Sequence, residues 1–192
     1  MKEYEKIVFL DIDGVLQGYS RQKRFDHIHT IPLLQEELTE KYQVDYTKYD
    51  KYDVGAVYYD WDPHALSLLK KILEETGAMI VISSDWRRLG LQQMIDFFRL
   101  YGLNEYIVDV TEDLTRDELD SFKHKYNGNI YEERTFEILK YLEKNPHIQN
   151  YVAIDDLNLS RGPEGHFVQT AYLIEDDDCE KAIAILNNSG VF

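Results

Sequence analysis

The sequence predicts an α/β fold in which helices cover both faces of an open parallel sheet. Three observations lead to this fold class: short continuous apolar runs, polar residues directly after several of them, and helical segments between them. A continuous apolar run is typical of a strand that is buried on both faces. We expect one domain over residues 1–192, because a chain of this length suffices for one sizeable core and is short for two.

The strands are the clearest of the predicted elements. The first apolar run, residues 7–10, ends at Asp11, and the run at residues 79–82 ends at Ser83. Further strands are predicted at residues 106–110, 151–154 and 167–174. Because helical segments separate the strands, the connections are expected to be right-handed crossovers.

Start and stop signals, together with apolar spacing, predict the main helices. They are expected at residues 63–76, 91–101, 131–144 and 180–186. In the first of them, Asp62 can cap the amino end, Pro63 suits the first turn and Gly77 can end the helix.

Residues 17–61 do not fit the alternation of strands and helices, although residues 33–42 can form a short helix. We interpret this tyrosine-rich stretch as a small insertion after the first strand. Two interpretations stay open: a flap or small cap over a functional site, and a surface excursion whose tyrosines cover the sheet edge.

Composition narrows the classes of function. The chain has 36 acidic and 21 basic residues, a net charge of −15, which repels polyanions and disfavours non-specific nucleic-acid binding. Cys179 is the only cysteine, which excludes an intramolecular disulfide and a cysteine zinc cluster. The apolar runs are shorter than a membrane span and no leader pattern is present, so we expect a cytoplasmic protein without a membrane partner.

Three of the predicted strands end in residues with reactive side chains. In open α/β sheets, ligands bind beyond the carboxyl ends of the strands, where loops from several strands converge. The three strand ends carry Asp-Ile-Asp-Gly-Val-Leu at residues 11–16, Ser-Ser-Asp at residues 83–85, and the pair Asp155 and Asp156. One such end is weak evidence, since aspartate and serine also cap helices and turns, but three in this order predict a site.

These motifs resemble those of the haloacid dehalogenase (HAD) superfamily of phosphohydrolases. Its first motif, DxDGxL after an apolar strand, matches residues 11–16 completely; its second, a serine or threonine after a strand, matches Ser83. Its acidic pair after a later strand matches Asp155 and Asp156. The resemblance spans nearly the whole chain and implies a Rossmann-like sheet.

The resemblance also implies a mechanism and a metal ion. Asp11 is the expected nucleophile, which forms an aspartyl phosphate, and Asp13 is the expected general acid and base. Ser83 is expected to bind the phosphoryl oxygens. Arg134 is the predicted basic residue beside Asp11, with Lys123 and Lys125 as the alternatives. The predicted ligands of Mg²⁺ are Asp11, Asp155 or Asp156, and the backbone carbonyl of Asp13.

Substrate contacts are predicted at Gly14, Ser84 and Arg87, whereas Trp86 is expected to serve in packing. The run from Ser83 to Arg87 resembles a subgroup with little or no cap, which includes phosphatase modules of RNA-repair proteins. Net acidity favours a small phosphorylated metabolite or nucleotide as substrate. The basic cluster Arg21, Lys23 and Arg24, followed by tyrosines, keeps a nucleic-acid end as the alternative.

Two classes of non-enzymatic protein share part of this pattern. Receiver domains of signalling proteins use an aspartate beside an acidic pair, but there the pair ends the first strand, whereas here it comes late. A catalytically silent module that binds a phosphorylated ligand is the other alternative. The presence of all the expected reactive side chains argues against it.

Overall fold

Five parallel strands form the sheet at the centre of the molecule. The computed structural model describes residues 5–20, 22–126, 132–159 and 165–188. The strands are β1 (Lys6–Leu10), β2 (Met79–Ile82), β3 (Ile107–Val110), β4 (Asn150–Asp155) and β5 (Phe167–Gln169). Their order in the sheet is β3-β2-β1-β4-β5, and every pairing is parallel. The predicted open parallel sheet is confirmed.

Helices lie between successive strands from β1 to β4, and one more follows β5. The α-helices are α1 (Ile31–Tyr42), α2 (Lys51–Tyr59), α3 (Pro63–Thr76), α4 (Leu91–Arg99), α5 (Arg116–Tyr126), α6 (Glu132–Lys144) and α7 (Asp176–Asn187). Short 3-10 helices span Lys23–His27, Asp85–Leu89 and Asn104–Tyr106. None of the helices in the described ranges is both long and apolar enough to span a membrane.

Strand β1 lies in the middle of the sheet and is buried on both faces. Val8 and Leu10 belong to the larger apolar core, which also contains residues of α3, α4 and α7. Ile7 and Phe9 point into a second core on the opposite face, where the ring of Phe9 lies 5.6 Å from that of Tyr141 on α6. The continuous apolar run of β1 therefore has the physical cause that was expected.

Several predicted bounds agree with the structure, and others differ, by up to four residues at the start of the last helix and five at the end of the last strand. Strand β2 and helix α3 have the predicted limits, with the Asp62 carboxylate accepting hydrogen bonds from the first turn of α3. Strand β5 ends at Gln169, earlier than predicted, because its neighbour β4 ends at Asp155, whose carbonyl accepts the last ladder hydrogen bond, from the Thr170 amide at 3.0 Å. Helix α7 begins at Asp176, where Glu175 and Asp178 form a capping box.

The insertion, residues 17–61, is more ordered than its sequence pattern predicted. Helix α1 covers the predicted segment, whereas helix α2 was not predicted. The buried residues of α2 are consecutive, Val54 to Val57, so the helix has no apolar stripe of helical period. Both helices contribute buried residues to the larger core.

The insertion is also fixed to α4 by polar contacts. The Tyr46 side chain is fully buried and its hydroxyl donates to the Asp96 carbonyl at 2.7 Å. The Tyr49 hydroxyl donates to the Asp96 carboxylate at 2.5 Å. Within the insertion, the Gln35 amide donates to the carbonyls of Tyr46 and Tyr49 and so fixes the segment that carries both tyrosines. Since buried polar groups are costly when unpaired, these bonds fix the position of the insertion.

Candidate active site

The carboxyl ends of β1, β2 and β4 meet at one edge of the sheet. The Asp11 amide donates to the Ile154 carbonyl at 3.0 Å, and the Ser83 amide donates to the Leu10 carbonyl at 2.9 Å. The ladder hydrogen bonds thus continue into the residues that carry the motifs. The structure brings Asp11, Ser83 and Asp155 to the same edge because neighbouring parallel strands end in register.

Three carboxylates gather at this edge. Asp11, Asp155 and Asp156 each offer an oxygen, and these oxygens all lie within 4.8 Å of one another. Asp11 and Asp155 are buried, and Asp156 is partly exposed. The Ser83 hydroxyl is also buried and has no hydrogen-bond partner among the residues that the structure describes. An all-oxygen donor set fits a hard divalent cation such as Mg²⁺, and the Ser83 hydroxyl remains available to a ligand.

Arg134, in the first turn of α6, neutralises part of this negative charge. Its Nη1 atom lies 2.7 Å from Oδ1 of Asp11 and 3.0 Å from Oδ2 of Asp155. Burial opposes its charge, but Asp155 and Asp11 outweigh that effect and raise the pKa of Arg134 above its ordinary value. The side chains of the alternatives, Lys123 and Lys125, lie outside the described part of the chain.

Burial is the largest influence on the pKa values of the two buried carboxylates, Asp11 and Asp155. It raises the pKa of Asp11 to about 6, although the charge of Arg134 and a hydrogen bond from Ser84 lower it. Burial and the charge of Asp11 raise the pKa of Asp155 to about 7. Without a cation, the crowded carboxylates therefore hold protons more tightly than free aspartates do.

Asp13 is held by two side chains that sequence reasoning did not select. Gln17 donates to Oδ1 at 2.9 Å, and the indole nitrogen of Trp86 donates to Oδ2 at 3.0 Å. Burial raises the pKa of Asp13, against the hydrogen bond from Trp86. Trp86 also packs against Trp61 and Phe97, as expected. Its hydrogen bond to Asp13 is a second function that was not expected. The sequence offered one signal for this contact: the indole N–H of a tryptophan usually needs a hydrogen-bond acceptor when it is buried.

Gly14 allows a close approach within the first motif. Its φ is +82°, and a Cβ atom there would lie 2.7 Å from Cβ and Cγ of Asp156. A side chain is therefore excluded both by the backbone conformation and by the neighbouring carboxylate. This packing accounts for the glycine, and its predicted substrate contact stays a prediction.

The predicted substrate contacts of Ser84 and Arg87 also stay predictions, and the structure gives both residues other partners. The Ser84 hydroxyl lowers the pKa of Asp11 and caps the 3-10 helix that follows β2. The Arg87 guanidinium is buried, and its Nη2 atom lies 2.6 Å from both Asp113 and Glu137. These pairings disfavour a substrate contact by Arg87, since its charge is already neutralised.

The start of the insertion approaches the acidic cluster. The Tyr19 hydroxyl donates to the Asp156 carboxylate and lies 3.3 Å from the Asp13 carbonyl. Within the predicted basic cluster, Lys23 is exposed, whereas Arg24 is paired with Asp60 at 2.7 Å. Arg21 lies outside the described residues. No sequence signal distinguished Tyr19 from the other tyrosines of the insertion.

The fold and this strand-end cluster define a class: an α/β protein with an acidic, oxygen-lined site that an arginine borders. Comparison with known proteins gives the family. The model of the family described as the HAD domain in Swiss Army Knife RNA repair proteins matches residues 7–174. The chain therefore belongs to this family of HAD domains, as the motifs predicted. No curated protein and no solved structure gives a significant match to the chain.

Proposed function

We propose that this protein is a magnesium-dependent phosphohydrolase that cleaves a phosphate monoester through an aspartyl phosphate on Asp11. The observation that carries the proposal is the position of Arg134, which contacts both Asp11 and Asp155. Asp13, two residues after Asp11, is held by side chains on both of its oxygens. This arrangement supplies a nucleophile, a neutralising cation and a proton carrier within one small site. Membership of a HAD family supports a hydrolase.

Each residue has a distinct task in the proposed reaction. Asp11 attacks phosphorus, and the bond from phosphorus to the leaving oxygen breaks. Asp13 gives its proton to the leaving oxygen and then takes one from the water that hydrolyses the aspartyl phosphate. The raised pKa of Asp13, caused by burial, suits a group that must hold a proton first.

Charge balance explains why the site needs positive partners. A phosphate dianion that approaches Asp11 is repelled by its carboxylate, and Arg134 offsets part of that repulsion. The carboxylates of Asp11, Asp155 and Asp156 and the Asp13 carbonyl would hold the magnesium ion. When bound, the ion neutralises and orients the phosphate. The Ser83 hydroxyl, which has no partner within the described ranges, is suited to donate to a phosphoryl oxygen.

For the substrate, we propose a phosphorylated nucleic-acid end over a small metabolite. The family description names RNA repair proteins, whereas no finding specifically supports the metabolite. Phe25 and Tyr52 on the insertion are exposed, with their ring centroids 6.4 Å apart. Lys51 lies 5.1 Å from the Tyr52 ring centroid; Arg24 lies 5.0 Å from that of Phe25 but is also paired with Asp60. Exposed rings beside cations are the groups that stack on unpaired bases.

A magnesium-dependent turnover screen tests the activity and the substrate class together. The substrates are sugar phosphates, nucleotides, and oligonucleotides with a 3′- or 5′-phosphate. We expect phosphate release that requires Mg²⁺ and is fastest with an oligonucleotide. Absence of release from every substrate would contradict the proposed activity, and faster release from sugar phosphates would contradict only the substrate class.

The double variant Phe25→Ala/Tyr52→Ala tests the stacking surface. For an oligonucleotide substrate we expect KM to rise roughly tenfold or more, because each lost base stack costs about 1–3 kcal/mol. The matched control is Leu33→Ala, which removes an exposed apolar side chain from the same insertion and should leave KM unchanged. An equal KM in the double variant and the control would exclude this surface as a contact.

A further inference from the structure

The Tyr19 hydroxyl contacts two of the oxygen groups that are the expected ligands of a cation. It donates to the Asp156 carboxylate, one of the three clustered carboxylates, and lies 3.3 Å from the Asp13 carbonyl. A group within hydrogen-bond distance of both oxygens lies in the space in front of them.

A second tyrosine holds this part of the insertion near the site. The Tyr172 hydroxyl accepts a hydrogen bond from the Ser20 amide at 2.8 Å and donates to the Ser20 hydroxyl. The rings of Tyr19 and Tyr172 meet edge to face at 6.5 Å. A Cβ atom at residue 18 would lie 2.4 Å from the Tyr172 ring, so Gly18 is what permits this approach.

We propose that the Tyr19 hydroxyl and a divalent cation exclude one another at Asp156, so that Tyr19 must withdraw for the cation to bind. The inference rests on the cation site of the proposed function. Magnesium bonds to carboxylate oxygens at about 2.0–2.1 Å in octahedral geometry, and these bonds replace the hydrogen bond from Tyr19. Tyr19 is 61% exposed, so its ring can move into solvent without opening the core.

The opposite function for Tyr19 is to orient Asp156 for the cation, as hydrogen-bonding partners of metal ligands often do. The two functions predict opposite changes in magnesium affinity when the hydroxyl is removed. An excluding hydroxyl lowers the fraction of protein that is ready to bind the cation, and its removal strengthens binding. An orienting hydroxyl strengthens binding, and its removal weakens it. The contact with the Asp13 carbonyl favours exclusion, because orienting Asp156 does not require it.

Isothermal titration calorimetry with magnesium chloride on the full chain measures whether removal of the hydroxyl lowers or raises the Kd for Mg²⁺. We expect Tyr19→Phe to bind Mg²⁺ more tightly, with Kd lower by roughly tenfold, the effect of losing one hydrogen bond to a charged group. Tyr172→Phe, which weakens the link to Ser20, should lower Kd by a smaller factor. An unchanged or higher Kd for Tyr19→Phe would overturn the inference.

Two further variants assign the signal to this site. Tyr58→Phe is the matched control, because Tyr58 is an exposed tyrosine on α2 of the same insertion, and its Kd should equal that of the parent. Asp156→Asn should weaken the measured binding if the titrated site is the acidic cluster. If neither the parent nor Tyr19→Phe binds Mg²⁺, the cation site of the proposed function fails as well. If the parent binds Mg²⁺ and Tyr19→Phe does not bind it more tightly, only the proposed exclusion between Tyr19 and the cation fails.

Discussion

The strand-end site and the insertion are positioned by different kinds of interaction. Asp11, Ser83 and Asp155 occupy the ends of adjacent strands, so the hydrogen-bond register of the sheet brings them together. The insertion is held by side chains from distant parts of the sequence, such as Tyr46 against Asp96. Local sequence patterns therefore predict the strand-end site well, because its residues follow directly from where the strands end. They predict the insertion poorly, because its position depends on side-chain contacts between residues far apart in the sequence.

The largest expected effect concerns the site itself. Asp11→Asn should lower kcat by roughly 10⁴-fold or more, because an amide matches the carboxylate in shape but cannot form the aspartyl phosphate. The fold should remain intact. At neutral pH without magnesium, the variant should unfold at a higher temperature, since burial makes an ionised Asp11 costly. Steady-state kinetics and thermal unfolding measure the two effects.

The control for this substitution is Asp62→Asn, also an exchange of aspartate for asparagine. Asp62 caps α3, and asparagine caps helices about as well, so activity and stability should both stay near those of the parent. A folded Asp11→Asn variant with near-parental turnover would contradict the proposed nucleophile.

The insertion is expected to unfold together with the sheet. Ile31 is fully buried and its Cδ1 atom lies close to Gly55, so Ile31→Ala should lower the free energy of unfolding by about 2–5 kcal/mol. Leu33, two residues later on α1, is 60% exposed, and Leu33→Ala should change little. Denaturant unfolding, followed by fluorescence and circular dichroism, should give one transition for each protein. A separate early transition in Ile31→Ala would instead identify the insertion as an independent cap.

The sequence predicted the sheet and the site more completely than the contacts around them. Strand β2 and helix α3 were predicted to the residue, because an apolar run and the Asp62, Pro63 and Gly77 signals are local. Helix α2 was missed because its burial arises from tertiary packing on several sides. The contacts of Trp86 with Asp13 and of Tyr19 with Asp156 join residues far apart in sequence, which no local pattern indicates.

Magnesium should stabilise the protein more as pH rises. Its ligands must lose their protons, and the pKa of Asp11 is raised to about 6 and that of Asp155 to about 7. The increase in Tm on adding magnesium should therefore be small near pH 5 and grow toward pH 8. At roughly 100 times Kd the cation adds about 2.7 kcal/mol. Asp155→Asn should lose most of this increase at every pH, and an equal increase in that variant would place the ion elsewhere.

The smallest effect is expected at Glu137, which pairs with Arg87 and is not one of the three clustered carboxylates. Burial raises the pKa of Glu137 to about 7, although the charges of Arg87 and Arg134 lower it, and its Oε2 atom has no partner among the described residues. The folded state then holds a proton that the unfolded state releases near pH 4.5, the ordinary value for glutamate. Its contribution to stability is present below that pH and is lost as pH rises toward 7.

Glu137→Gln removes this titration while it keeps the shape of the side chain. In metal-free buffer, the free energy of unfolding of the parent should fall between about pH 5 and pH 7, and the variant should show a shallower fall. Asp11 and Asp155 contribute to the slope of both proteins, so the difference between the two slopes isolates Glu137. Denaturant unfolding at a series of pH values measures it. Equal slopes would mean that Arg87 keeps Glu137 ionised in the folded protein, and that this ion pair, unlike the site beside it, is insensitive to pH over this range.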